Sequence, residues 1–69
     1  MDISKKIKLA EAYAGMKEAE LSRKLGTSSQ AFGQRMKTGK FTSAELENIA
    51  EALGAEYVCY FKFPDGTRI

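Results

Sequence analysis

Gln30 and Gln34 stand four residues apart in the run SSQAFGQRMKTGK, with Ser29 just before them. On a helix that spacing puts both carboxamides on one face, one turn apart. A carboxamide carries a donor and an acceptor side by side, which matches the N6/N7 edge of adenine, and a serine hydroxyl serves nearly any base edge. Groups suited to phosphate oxygens flank them. Thr27 and Ser28 lie at the helix start, where free backbone N–H groups point, and Lys37, Thr38 and Lys40 lie at its end. Two solvated glutamines on an exposed helix would be the default elsewhere; these surroundings favour base contact by Ser29, Gln30 and Gln34.

Other chemistries find little to work with. The chain has no His and a single Cys, Cys59, so it offers no His-based general base, no His/Cys metal cluster and no internal disulfide. We expect no enzyme, no metal, no cofactor and no small-molecule ligand. With 69 residues, 43% hydrophobic and 29% charged, the composition is that of one folded domain, residues 1–69, with one core. Lys5, Lys6 and Lys8 do not open a signal peptide, because Leu9 to Gly15 is short and contains Glu11. No stretch spans a bilayer, and the expected location is cytoplasmic. The charge is uneven: residues 1–40 hold nine Lys/Arg against four acids, a net +5, and residues 41–69 hold two against five, a net −3. Such polarity suits a protein that presents one end to a polyanion. Lys5, Lys6 and Lys8 read as a solvated face and stay outside the site.

The elements that must position these residues follow from periodicity. Ile3, Ile7, Ala10 and Ala14 predict an amphipathic helix over 3–14, capped by Asp2 or Ser4 and stopped by Gly15, with Glu11 off the apolar stripe. Leu21 and Leu25 predict a short helix from about Lys17 to Leu25, ended by Gly26. A third helix, Ser29 to Lys37, starts within Thr27–Gln30, with Gln30 reaching back as in a capping box and Phe32 and Met36 facing inward. Thr42-Ser43-Ala44-Glu45 is a second capping-box pattern and opens a helix carrying Leu46, Ile49, Ala50 and Leu53, ended by Gly54. The period then becomes two. Tyr57, Cys59, Phe61 and Phe63 alternate with Val58, Tyr60 and Lys62, and a turn at Pro64–Thr67 predicts a short β-hairpin over 56–69.

Two short helices separated by three or four residues beginning at Gly26 cannot lie antiparallel, so Met16 to Lys40 reads as a helix-turn-helix whose second helix fits a major groove. At this point Ala19-Glu20-Leu21, Lys24-Leu25-Gly26-Thr27-Ser28 and SSQAFGQRMKTGKFT resemble the Xre/Cro family of phage-repressor-like regulators over about residues 3–54. The tail YVCYFKFPDGTRI resembles the short hairpin of some small bacterial members. The resemblance implies a mainly α, four-helix lambda-repressor-like domain that dimerises, binds a palindromic double-stranded DNA operator and regulates transcription, as a repressor. It places the base-reading positions on Ser29, Gln30 and Gln34. Two residues depart from the family pattern. Ser22 replaces a usual Ala, and Arg35 stands where an aliphatic residue is common. Arg35 either reaches a phosphate or pairs with Glu11, and the sequence leaves both open.

The aromatic tail has several readings. Cys59 lies on an otherwise apolar face and reads as a packed thiol. Tyr57, Cys59, Phe61 and Phe63 are expected to form a dimer interface or to extend the core, since so short a hairpin is marginal alone. A base-stacking platform is the less favoured reading. A protein-interaction module, such as an antitoxin-like partner-binding protein, is the competing function.

Overall fold

The computed structural model describes residues 2–69, which form four helices: α1 Ile3–Ala14, α2 Glu18–Lys24, α3 Ser29–Thr38 and α4 Ser43–Ala52. Each begins or ends where the local chemistry requires. The Asp2 carboxylate accepts the Lys5 backbone N–H at 2.9 Å and caps α1. Ser4 does not cap; its hydroxyl donates to the Met36 carbonyl at 2.6 Å and ties the start of α1 to the last turn of α3. Thr42 and Glu45 make the reciprocal capping box of α4, at 3.1 and 2.9 Å. The expected box at α3 does not form. Ser28 is the cap, its hydroxyl accepting from Ala31 N–H at 3.0 Å, and the third helical position is therefore Ala31 and not Gln30.

The turn between α2 and α3 decides where α3 starts. Gly26 adopts φ +75°, a left-handed conformation costly for any residue with a Cβ. Its N–H donates to the Arg23 carbonyl at 3.1 Å and the Thr27 N–H to the Ser22 carbonyl at 3.0 Å, which satisfies the end of α2 while reversing the chain.

Ile7, Leu21, Phe32, Met36 and Ile49 form the core, with Ile3, Met16, Leu25, Phe41, Leu46 and Leu53 packed around it. Leu21 is 0% exposed. The Phe32 and Phe41 rings lie 6.3 Å apart in a tilted arrangement. Ser22 is also buried, and its hydroxyl donates to the Glu18 carbonyl at 2.8 Å, so a serine sits between helices without an unmade hydrogen bond.

The apolar stripe of α1 differs from expectation. Ala14 is exposed and Glu11 is buried, one turn beyond Ile7 on the side that meets α2. Glu11 Oε2 has no hydrogen-bond partner. Burial, followed by the nearby Glu18 carboxylate, pushes the Glu11 carboxyl above its ordinary range, with Lys8 pulling the other way.

The tail also departs from expectation. No strand is present among the described residues, and the hairpin expected over 56–69 is reduced to one antiparallel bridge between Lys62 and Arg68. Phe61 and Ile69 exchange backbone hydrogen bonds, and Phe63 N–H donates to the Thr67 carbonyl. Among the described residues no backbone hydrogen bond of the tail reaches residues 57–60, so the ladder is too short to make a strand. Nor does the tail extend the core: Cys59 is exposed, as are Val58, Tyr60, Phe61 and Phe63, and only Tyr57 is half-buried. A Cα radius of gyration of 13.3 Å, against about 11 Å for a compact chain of this length, agrees with a tail that does not fold back.

A carboxyl raised in the fold favours its proton more when folded than when unfolded, so its contribution to stability is greatest below the ordinary range and falls as pH rises through the raised value. Glu11→Met is therefore expected to stabilise the protein at neutral pH by about 1–3 kcal/mol, the usual cost of an unsatisfied buried polar group. Glu11→Gln should flatten the loss of stability between pH 5 and pH 7.5. Urea unfolding at both pH values measures this, and a destabilised Glu11→Met protein would show that the carboxyl is satisfied after all.

Candidate nucleic-acid interface

Phe32 and Met36 hold α3 to the core at 4% and 7% exposure, and this fixes what the rest of the helix presents. Ser29, Gln30, Gln34 and Lys37 are all exposed, with Gly33 between them half-buried. About 6 Å of helix rise separates the two glutamines, so both carboxamides occupy the same stretch of surface. No acidic residue occurs within α3.

The helix ends are more heavily used than the sequence suggests. Thr27 is half-buried and its N–H is spent on the α2 terminus. Ser28 uses an oxygen lone pair as the α3 cap, which leaves its hydroxyl hydrogen to donate. At the far end, the Thr38 hydroxyl donates to the Arg35 carbonyl at 2.9 Å and accepts from Lys40 N–H at 3.4 Å. Thr38 therefore serves the chain reversal at Gly39, and as a phosphate donor it would have to give up that bond. Lys37 and Lys40 are exposed cations beside it.

Arg35 resolves one of the open alternatives. It does not pair with Glu11; its guanidinium lies 2.6 Å from Glu45 Oε2, donates to the Lys40 carbonyl at 2.8 Å and sits over the Phe41 ring at 5.3 Å from the centroid. Glu11 lies on α1 within reach of the Glu18 charge on α2, whereas Glu45 stands in the first turn of α4, directly across the loop from Arg35. The sequence conceals this pairing because Glu45 already has a complete role in the capping box; the available signal is Phe41, an aromatic stacking partner between the two charges. Arg35 and Glu45 neutralise one another, so Lys37 and Lys40 supply the uncompensated charge near the end of α3.

The brace also sets the acidity of Glu45. The Arg35 hydrogen bond, then the Thr42 backbone N–H, hold its carboxyl down to about 2. Among the described residues no group of His, Cys, Asp and Glu is placed to hold a metal ion, and no helix is long and apolar enough to cross a membrane. No protein-family profile, curated protein or solved structure matches the chain.

A carboxyl lowered in the fold contributes stability that is present above its ordinary value and lost as pH falls through the folded one. For Glu45 that window runs from about 4.5 down to about 2. Glu45→Gln should therefore show a smaller drop in melting temperature than the unmodified chain between pH 5 and pH 2.5. Thermal melts followed by circular dichroism test this, and equal drops would mean that the brace does not persist in solution.

Proposed function

We propose that this chain is a sequence-specific double-stranded-DNA-binding regulator, acting as a repressor, that inserts α3 into the major groove. The observation that carries this reading is the division of α3: Phe32 and Met36 are buried, while Ser29, Gln30, Gln34 and Lys37 form one exposed, acid-free surface. In the proposed complex Ser29, Gln30 and Gln34 read base edges. Ser28, Lys37 and Lys40 engage phosphates, with Thr27 and Thr38 lining the same backbone path. Arg35 acts through the brace to Glu45 and keeps α3 in register with α4. The order of four helices, with four residues between α2 and α3, supports a lambda-repressor-like helix-turn-helix, the fold that the Xre/Cro resemblance implies. A palindromic operator would then require two copies.

Gly33 adds a second mark on the same face. A Cβ built there meets nothing within 4 Å, so packing does not explain a glycine in a helix interior, where it costs about 0.5–1 kcal/mol relative to alanine. Close approach of a groove wall does explain it.

Selection of bound duplexes from a random pool at near-physiological salt tests the reading. A palindromic consensus is expected. Gln30→Ala or Gln34→Ala should lower affinity for that site by about 1–3 kcal/mol and relax its specificity, while Lys37→Ala should weaken all duplexes alike and reduce the salt slope by about one. Gly33→Ala should raise folding stability by about 0.5–1 kcal/mol and yet weaken operator binding. If no duplex is enriched, the DNA reading fails and the protein-interaction alternative takes its place.

A further inference from the structure

α3 and α4 diverge beyond the loop that joins them. α2 packs on α1, α3 and α4, but α3 and α4 make few contacts with each other. Between them lies a cleft of about 400 Å³, within the size range of small-molecule sites. Its walls come from residues around 25–27, 31–35, 41–45 and 48–49, so no local pattern marks it and no ligand is expected from the sequence. Ala31 keeps the cleft open. It stands exposed on the α3 flank, one turn before Arg35, and fills the seam with no more than a methyl group. Close packing is the rule where helices meet, and a seam left unfilled in so small a domain forfeits contacts that a ligand can supply.

The chemistry of the walls selects the ligand. Leu25, Phe32 and Ile49 give an apolar floor and Phe41 an aromatic wall, surroundings that suit a flat ring. The charges in the cleft are already spent. One Glu45 oxygen accepts the Thr42 N–H and the other meets Arg35, whose guanidinium also donates to the Lys40 carbonyl. The adjoining cleft adds Lys24 and Glu51, again one of each sign. A charged ligand would find no unpaired counter-ion here and would lose hydration on entry. Asn48 is different. It is exposed, lines both clefts and belongs to neither the α4 cap nor the ion pair, and its carboxamide holds a donor and an acceptor side by side.

We propose that the α3–α4 cleft binds a small neutral aromatic heterocycle, of one or two rings, whose amide-type edge presents an N–H donor beside an acceptor to Asn48. The rings lie on Leu25, Phe32 and Ile49. Bound there, the ligand bridges α3 and α4 alongside the Arg35–Glu45 pair and adds a second tie between them, which steadies the surface that α3 presents. The inference does not rest on the DNA reading, and its test contains no DNA, so either can fail alone.

Titration of the isotope-labelled full chain with 2-quinolinone, a two-ring lactam, tests this through amide chemical shifts. Saturable shifts are expected at Ala31, Arg35 and Asn48, half-complete below about 1 mM, with Lys62 and Arg68 in the tail unmoved. 2-Methoxyquinoline, which lacks the N–H, and quinoline-2-carboxylate, an anion, should each bind about tenfold more weakly. Asn48→Ala removes the polar partner and Ala31→Leu fills the cleft. Each should weaken 2-quinolinone about tenfold and keep the helical circular dichroism, since both positions are exposed. Were one variant to lose helicity, the other decides. Shifts that do not saturate by about 5 mM, a carboxylate that binds as tightly as the lactam, or a folded variant with unchanged affinity would overturn the proposal.

Discussion

The shortest helix bears the greatest structural demand. α2 touches each of the other three helices and carries Leu21 and Ser22, the most fully buried side chains of the chain. Seven residues are too few for a helix to persist alone in water, so α2 exists only because its neighbours cover it. Its charges also suit its dipole, with Glu18 and Glu20 in the first turn and Arg23 and Lys24 in the last. Because α3 follows after a turn fixed by Gly26, its placement is inherited from α2.

Arg35 and Glu45 hold the other end of that arrangement. A half-exposed ion pair contributes little by itself. Its value here is geometric: the Glu45 carboxylate caps its own helix through one oxygen and receives Arg35 from the neighbouring helix through the other. Phe41 lies beneath the guanidinium and against Phe32. Charge, cap and aromatic packing thereby converge on the loop that joins α3 to α4.

Most of this was legible from spacing. The four helices, the inward pairs Leu21/Leu25 and Phe32/Met36, the Thr42–Glu45 box and the outward glutamines all follow from local pattern and end signals. What escaped were features that depend on residues distant in sequence or on a side chain with two uses. Glu11 is buried and feels the Glu18 charge of α2, a tertiary placement that periodicity alone does not show. Arg35 finds Glu45 only once α4 turns back, and Ser4 finds Met36 only once α1 and α3 meet. Alternation in the tail was real, but a strand needs a partner, and among the described residues none pairs with the backbone of 57–60.

The way α3 separates its duties has a consequence for how such a chain diversifies. Phe32, Met36 and Arg35 maintain the architecture, and Ser29, Gln30, Gln34 and Lys37 make no side-chain contact on which the core relies. Drift at the second set does not propagate into the first. A lineage carrying this scaffold can exchange its outward residues without relearning how to fold, much as type is reset in a standing press.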